Sequence, residues 1–160
     1  IKKARDINFI DLDRHTSNII IVQEYYSIDD FWIESEEDGL IYFEVYPIVL
    51  ESYLYYTGST ERKTPYYLGN PLSFYQTSVV KLPEDWWIEP YSKRISGDGF
   101  VYENEIEFAS RIATITHSYD LTKKWLSPGK VVNFIKKQDK IMEELSYLIT
   151  YDNMTIGKDK

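Results

Sequence analysis

The stretch RIATITHSYDL, residues 111–121, alternates between apolar and polar residues along its length. Successive side chains of a β-strand point to opposite faces, so this pattern predicts a strand that is buried on one face only. Antiparallel sheets commonly have one solvated face, whereas the strands of parallel sheets are covered on both faces. The face that we predict to be buried carries Ala113, Ile115, His117, Tyr119 and Leu121.

The segments before this strand carry the same type of signal. Residues 96–99 read Ser-Gly-Asp-Gly and predict a hairpin turn between strands at Tyr91–Ile95 and Phe100–Phe108. Four β-branched residues in succession, at positions 19–22, predict a central strand that is buried on both faces. The segment at positions 48–56 has apolar residues at helical spacing but is too short to assign. Further strands are predicted at Asp6–Leu12, Leu40–Tyr46 and Leu72–Leu82.

One segment near the C-terminus is strongly amphipathic. Ser127 is suited to cap a helix and Pro128 to occupy its first position. Apolar residues then recur at spacings of three and four up to Leu148, on a stripe that includes Gln138. We therefore predict a helix over about residues 128–150 and a frayed polar tail over residues 152–160. The predicted fold is mainly β, an antiparallel β-sandwich with one C-terminal amphipathic α-helix, in a single domain over residues 1–151.

The composition argues against several classes of function. The chain has no cysteine and only two histidines, His15 and His117, so disulfides, thiolate nucleophiles and Cys-ligated zinc are excluded. With 26 acidic and 18 basic residues the net charge is −8, which argues against nucleic acid, since phosphate binding needs a basic face. No segment approaches the roughly 20 apolar residues that a membrane helix needs.

No motif for a cofactor or a metal is present either. The chain has no Gly-rich phosphate loop and no zinc-type spacing, so we predict neither a cofactor nor a metal. We interpret the acidic stretch at residues 34–39 as a solvated loop, because it lacks the spacing of a calcium loop. We predict that His117 is a buried or rim histidine that hydrogen-bonds a neighbour. A carboxylate pair that meets only in space would permit glycosidase chemistry, but no second signal supports one.

Aromatic residues are the strongest candidates for binding, since the chain has 15 Tyr, 7 Phe and 4 Trp. Neighbours on a strand face opposite sides, so one of Trp86 and Trp87 is expected in the core and the other at the surface. The functional interpretation of Arg62 is that a proline-bounded loop presents its guanidinium to an anion or a partner, and Tyr66 and Tyr67 follow it. Each of these residues also has a structural interpretation, as cross-strand packing or as an ion pair that fixes the loop. We predict no catalytic residue.

Four segments together resemble a known domain. They are EYYSIDDFW (24–32), YFEVYPIVLESYL (42–54), ERKTPYYLGNP (61–71) and KLPEDWWIE (81–89). Their order and spacing resemble the β-rich domain that follows the transglutaminase-like core in bacterial, Bacteroidetes-type envelope proteins with an N-terminal domain of unknown function. The resemblance covers residues 20–151, most of the chain.

The resemblance implies a role without catalysis. The catalytic Cys, His and Asp of that family belong to the core, and no segment of this chain is similar to the segments that bear them. It further implies a location in the periplasm or cell envelope. We therefore expect an accessory domain that docks to, or positions, a transglutaminase-like core in the same polypeptide. The alternative is an independent module that binds a glycan or a peptide through exposed aromatic residues.

Overall fold

The computed structural model describes residues 2–12, 18–29, 32–37, 39–54, 56, 60–83 and 88–152. Strands account for 50% and helices for 17% of the chain, which confirms the predicted mainly β class with a C-terminal helix. Within the described ranges the helical elements are α1 (Ile48–Leu54), a 3₁₀ turn (Pro128–Lys130) and α2 (Val131–Glu143). The strands are β1 (Lys2–Lys3), β2 (Asn8–Leu12), β3 (Ile19–Gln23), β4 (Tyr26–Ser27), β5 (Ile33–Glu34), β6 (Leu40–Val45), β7 (Tyr66–Tyr67), β8 (Leu72–Lys81), β9 (Tyr91–Gly97), β10 (Phe100–Ala109), β11 (Ile112–Leu121), β12 (Trp125–Leu126) and β13 (Tyr147–Asp152).

The largest sheet is antiparallel and has the order β8-β11-β10-β9. Strands β9 and β10 form the predicted hairpin, whose turn contains Gly99 at a φ of 93°, a conformation that glycine adopts at no steric cost. The alternation predicted for β11 is confirmed, since Ala113, Ile115, His117, Tyr119 and Leu121 are all buried. This sheet therefore has one buried face, which forms one side of the hydrophobic core.

Two different elements cover that buried face. At one end α2 packs on Phe100, Tyr102 and Tyr119, with Leu50 of α1 in the same cluster. At the other end Phe43 of β6 and residues of β13 pack on residues of β10 and β11. The second layer is thus a helix over one half of the sheet and a three-stranded sheet, β13-β6-β5, over the other half.

The predicted end of the C-terminal helix was wrong. Helix α2 ends at Glu143, and residues 147–152 form β13, which pairs antiparallel with β6 and places Ile149 opposite Phe43. Leu148 fits the helical stripe by spacing, but it is exposed, whereas Ile149 is buried. The segment YLITY consists of residues that favour strands, and the free edge of β6 provides the partner. The predicted tail began at residue 152, but Asp152 is the last residue of β13, and residues 153–160 lie outside the described residues.

The prediction for residues 19–22 was also wrong. Among the described residues β3 pairs with β2 alone, in a two-stranded sheet, and all five of its residues are exposed. A continuous apolar run is typical of a strand covered on both faces, but the run itself does not supply the covering elements. The ambiguous segment at positions 48–56 forms the short helix α1, with Leu50 and Leu54 buried and Ile48 exposed.

Candidate functional site

The hairpin formed by β2 and β3 exposes apolar side chains on both faces, and the three most exposed of them lie together on one face. In the antiparallel register Phe9 lies opposite Val22, and the next pair on the same face is Asp11 and Ile20. Phe9, Ile20 and Val22 are 61%, 60% and 54% exposed, and we call these three residues the apolar hairpin face. On the reverse face Asn8 donates a hydrogen bond of 2.8 Å to Gln23, which fixes the register at the open end.

These exposed apolar side chains are unusual because they are adjacent to one another. Single exposed apolar side chains are normal on soluble proteins, but contiguous patches mark interaction sites. A two-stranded hairpin alone is also only marginally stable in water, because it buries few side chains. The apolar hairpin face therefore has the properties of a surface that a partner covers.

A second exposed cluster is aromatic and positively charged. Tyr67 of β7 lies opposite Trp125 of β12, and their ring centroids are 4.7 Å apart at an interplanar angle of 52°. Both rings are exposed, and the Lys124 ammonium lies 5.8 Å from the Tyr67 centroid. Next to them the guanidinium of Arg62 lies 4.9 Å from the ring centroid of Tyr66. We call these five residues the aromatic ribbon.

The aromatic ribbon brings together three of the five predicted binding residues. Arg62 does not present a free guanidinium: it is half-buried over Tyr66, and its Nε is buried without a hydrogen-bond partner in the described part of the chain. Tyr66 is half-buried beside Phe134, and only Tyr67 offers an open ring. Trp86 and Trp87 lie outside the described residues. Sequence reasoning missed Trp125, whose only signal was a tryptophan after two lysines.

A third feature is a polar row across the buried face of the large sheet. The strand register places Asn104 of β10 opposite His117 of β11, and His117 opposite Gln76 of β8. Asn104 and His117 are 3% and 1% exposed. Apolar clusters lie on both sides of this row, with Tyr102 on one side and Ile115 on the other. We call the row, together with Tyr102, Gln138 and Glu144 above it, the polar seam.

The polar seam binds the C-terminal end of α2. The Tyr102 hydroxyl donates to the backbone carbonyl of Glu144 at 3.3 Å, and the Asn104 amide donates to the same oxygen at 3.2 Å. The last carbonyls of a helix have no partner within the helix, so these donors satisfy a group that burial would otherwise leave unpaired. The Glu144 carboxylate in turn accepts a hydrogen bond of 2.6 Å from Tyr91 and lies 3.7 Å from the Lys93 ammonium.

The titratable groups of the seam are held in their neutral forms. Burial lowers the pKa of His117 to about 4. Burial also raises the pKa of the Tyr102 phenol well above its usual value, with a smaller contribution from Glu144. Burial raises the pKa of Tyr119 to about 12, although its hydrogen bond with Gln138 acts in the opposite direction. At neutral pH His117, Tyr102 and Tyr119 are therefore uncharged, and His117 is a weak base.

His117 matches its sequence prediction. It is buried, and its Nδ1 lies 3.0 Å from the Tyr102 hydroxyl. Sequence reasoning did not find Asn104 and Gln76, although both occupy inward positions of their strands. His15, the other histidine, lies outside the described residues.

No family model matches this chain. A search of curated proteins and a search of solved structures likewise found no match. The resemblance to the domain that follows a transglutaminase-like core therefore stays a prediction.

Within the described ranges no group of three or more His, Asp or Glu side chains is arranged to hold a metal ion. In the same part of the chain no helix is long and apolar enough to cross a membrane.

Proposed function

We propose that this chain is a non-catalytic interaction domain that docks to a folded protein partner through the apolar hairpin face. The observation that carries the proposal is the exposure of Phe9, Ile20 and Val22 side by side on one hairpin. The occupant that we propose is a transglutaminase-like core in the same polypeptide, in the periplasm, as the sequence resemblance implies. The role of this chain is to bind that core and fix its position.

The chemistry of the hairpin supports docking to protein. Three adjacent apolar side chains are exposed on this face, and one of them, Phe9, is an aromatic residue that can serve as an anchor. Aromatic anchors surrounded by smaller apolar contacts are typical of the centre of protein interfaces. Burial of this face would also stabilise the hairpin, because it adds the second layer that a two-stranded sheet lacks.

The experiment is a calorimetric titration of this chain with the transglutaminase-like core encoded by the same gene. We expect saturable binding that Val22→Lys weakens at least about tenfold, because a charge placed in a desolvated contact costs more than about 1.4 kcal/mol. The matched control is Val79→Lys. Val79 is also an exposed strand valine, at 65%, but it lies on β8, away from the apolar hairpin face.

Two outcomes would overturn this proposal. The first is the absence of saturable binding, or of a transglutaminase-like core in the gene. The second is equal weakening by Val22→Lys and Val79→Lys, which would show that the added charge acts without regard to the proposed face.

A second candidate function rests on the aromatic ribbon. The exposed rings of Tyr67 and Trp125 lie side by side, with Lys124 next to them, and this arrangement favours a ligand with an apolar face and acidic groups. A glycan that contains uronic acid has both properties. The same two rings serve less well for protein docking, because the pair is small and flanked by charge.

The ribbon is tested by calorimetric titration with an oligogalacturonate and with the neutral N-acetylchitohexaose. We expect the acidic oligosaccharide to bind more tightly, and Trp125→Ala to abolish the response. Tyr75→Ala is the matched control, since Tyr75 is a 70% exposed aromatic residue on a different sheet. No response to either sugar, or a response that survives Trp125→Ala, would refute glycan binding at this site.

A further inference from the structure

One edge of the large sheet is formed by a long strand that has a neighbour on one side only. Strand β8 stands at the end of the order β8-β11-β10-β9, and all ten of its residues pair with β11. Among the described residues no strand pairs with its other side, and no other edge strand is as long. The backbone N–H and C=O groups along a free edge are a template for pairing with a further strand.

The opposite edge of the same sheet is protected against such pairing. Strand β9 follows Pro90 and carries Lys93 and Arg94. Lys93 occupies an inward position opposite Asn104, and its ammonium lies 3.7 Å from the Glu144 carboxylate. Prolines and inward-pointing charges are devices that keep the edges of natural sheets unpaired. Strand β8 lacks both devices, since positions 72–80 contain no proline, glycine or charged residue.

Both faces of β8 carry apolar surface that is incompletely covered. On the outer face Tyr75 and Val79 are 70% and 65% exposed, and Thr77 lies between them. On the inner face the side chains of β8 are only half-buried, whereas those of the adjacent β11 are buried. A further strand at this edge would therefore cover apolar side chains on both faces of the sheet.

The sequence of β8 is complementary to itself in an antiparallel pairing. When a two-fold axis relates two identical strands, an axis at one residue places the residues before it opposite the residues after it, with like faces together. An axis at Thr77 places Tyr75 opposite Val79 of the second copy on the outer face. The same axis places Phe74 opposite Val80 on the inner face. Aromatic residues opposite β-branched residues, and threonine opposite threonine, are stabilising cross-strand pairs.

The neighbouring register is less favourable. An axis at Gln76 would place Val79 opposite Ser73 instead of opposite an aromatic ring. With the axis at Thr77, the charged residue of β8, Lys81, lies opposite Ser73, so that like charges do not meet. The pattern of apolar, polar and charged residues along β8 therefore favours a second copy of this chain as the partner, in the register centred on Thr77.

We propose that two copies of this protein form a symmetric dimer through antiparallel pairing of their β8 strands, around a two-fold axis at Thr77. The two four-stranded sheets then join into one sheet of eight strands. A two-fold contact uses the same edge in both copies, so that assembly stops at the dimer. The apolar hairpin face and the aromatic ribbon belong to other sheets, so substitutions in β8 should not alter binding at either of them.

The test is sedimentation equilibrium of the chain alone, at concentrations from about 1 to about 500 μM. We expect reversible association to twice the mass of the 19.0 kDa chain and no further. Thr77→Lys should raise the dissociation constant at least about tenfold, because the axis brings the two added charges directly opposite each other. The matched control is Ser92→Lys, which adds the same charge at an exposed position of the opposite edge strand and should leave the association unchanged.

A mixture of two variants tests the position of the axis. Thr77→Glu should also weaken the dimer, but an equimolar mixture with Thr77→Lys should restore it at concentrations where each variant alone is monomeric. Opposite charges then meet at the axis, and restoration also shows that both variants are folded. A monomeric wild type, a dimer that tolerates Thr77→Lys, or equal weakening by Ser92→Lys would overturn the proposal. A mixture that stays monomeric would overturn it as well, because the contact would then lie away from Thr77.

Discussion

Replacement of His117 should remove a specific part of the acid sensitivity of this protein. Unfolded histidine has a pKa of about 6.5, whereas burial lowers that of His117 to about 4 in the folded chain. Between these values the unfolded state binds more protons than the folded state, so stability falls as the pH falls. The contribution of neutral His117 to the free energy of unfolding is fully present above a pH of about 6.5 and is lost as the pH falls to about 4. At about 1.4 kcal/mol per pKa unit, the loss is about 3 kcal/mol.

The assay is urea denaturation at a series of pH values between 7.5 and 4, on the wild type and on His117→Asn. Asparagine does not titrate, and its side-chain amide can hydrogen-bond the Tyr102 hydroxyl in place of Nδ1. Carboxylates, His15 and the nearby Lys93 and Glu144 are common to both proteins, so their effects cancel in the difference between the two free energies of unfolding. That difference should shrink by about 3 kcal/mol from pH 7 to pH 4.

A difference that stays constant over this range would refute the reasoning. It would mean that His117 titrates alike in the folded and unfolded chains, and hence that burial does not exclude the proton. Direct measurement of the folded pKa by NMR gives an independent check, since a value near 6.5 would contradict the buried, uncharged state of His117.

Two further predictions concern packing and are tested by the same denaturation assay. Gly97→Ala should destabilise the fold by about 1–3 kcal/mol, because a Cβ at this position would overlap the Phe100 ring, whereas Gly129→Ala, where a Cβ meets nothing within 4 Å, should cost less than about 0.5 kcal/mol. Equal effects of the two changes would contradict the role of the Phe100 contact. Leu50→Ala should cost about 2–5 kcal/mol because Leu50 is 0% exposed, whereas Ile48→Ala on the 70% exposed side of α1 should be nearly neutral, and a small loss for Leu50 would show that α1 is not part of the core.

The predictions that succeeded rest on local patterns, each of which is contained in a single segment of the sequence. The alternation in β11 defines a buried and an exposed face without reference to other elements, and both faces are as predicted. The turn at Asp98 and Gly99 succeeded for the same reason, since a glycine at positive φ follows from the local backbone. The environment of His117 also followed from its position on the buried side of that alternation.

The predictions that failed needed information on partners. An apolar run such as that of β3 indicates that its side chains favour burial, but not whether another layer covers them. After Glu143 the sequence fits both a helical stripe and a strand. The residues from 147 onward form a strand because β6, which is distant in the sequence, pairs with them. Trp125 of the aromatic ribbon was not predicted, because its strand is two residues long and too short for any periodicity. The polar seam arises from cross-strand register, which no single segment contains.

The pairing of β13 with β6 has a consequence for the nascent chain. The hydrogen bond between Ser146 and Glu44 joins residues that are 102 positions apart, beside the point where these strands meet. At translation rates of 5–20 residues per second, β6 must remain without that partner for roughly 5–20 s after its own synthesis. The β9–β10 hairpin, joined by a short turn, faces no such delay. During this interval the β13 side of β6 has no strand partner, and the second layer of the core lacks Ile149, which packs in the same cluster as Phe43.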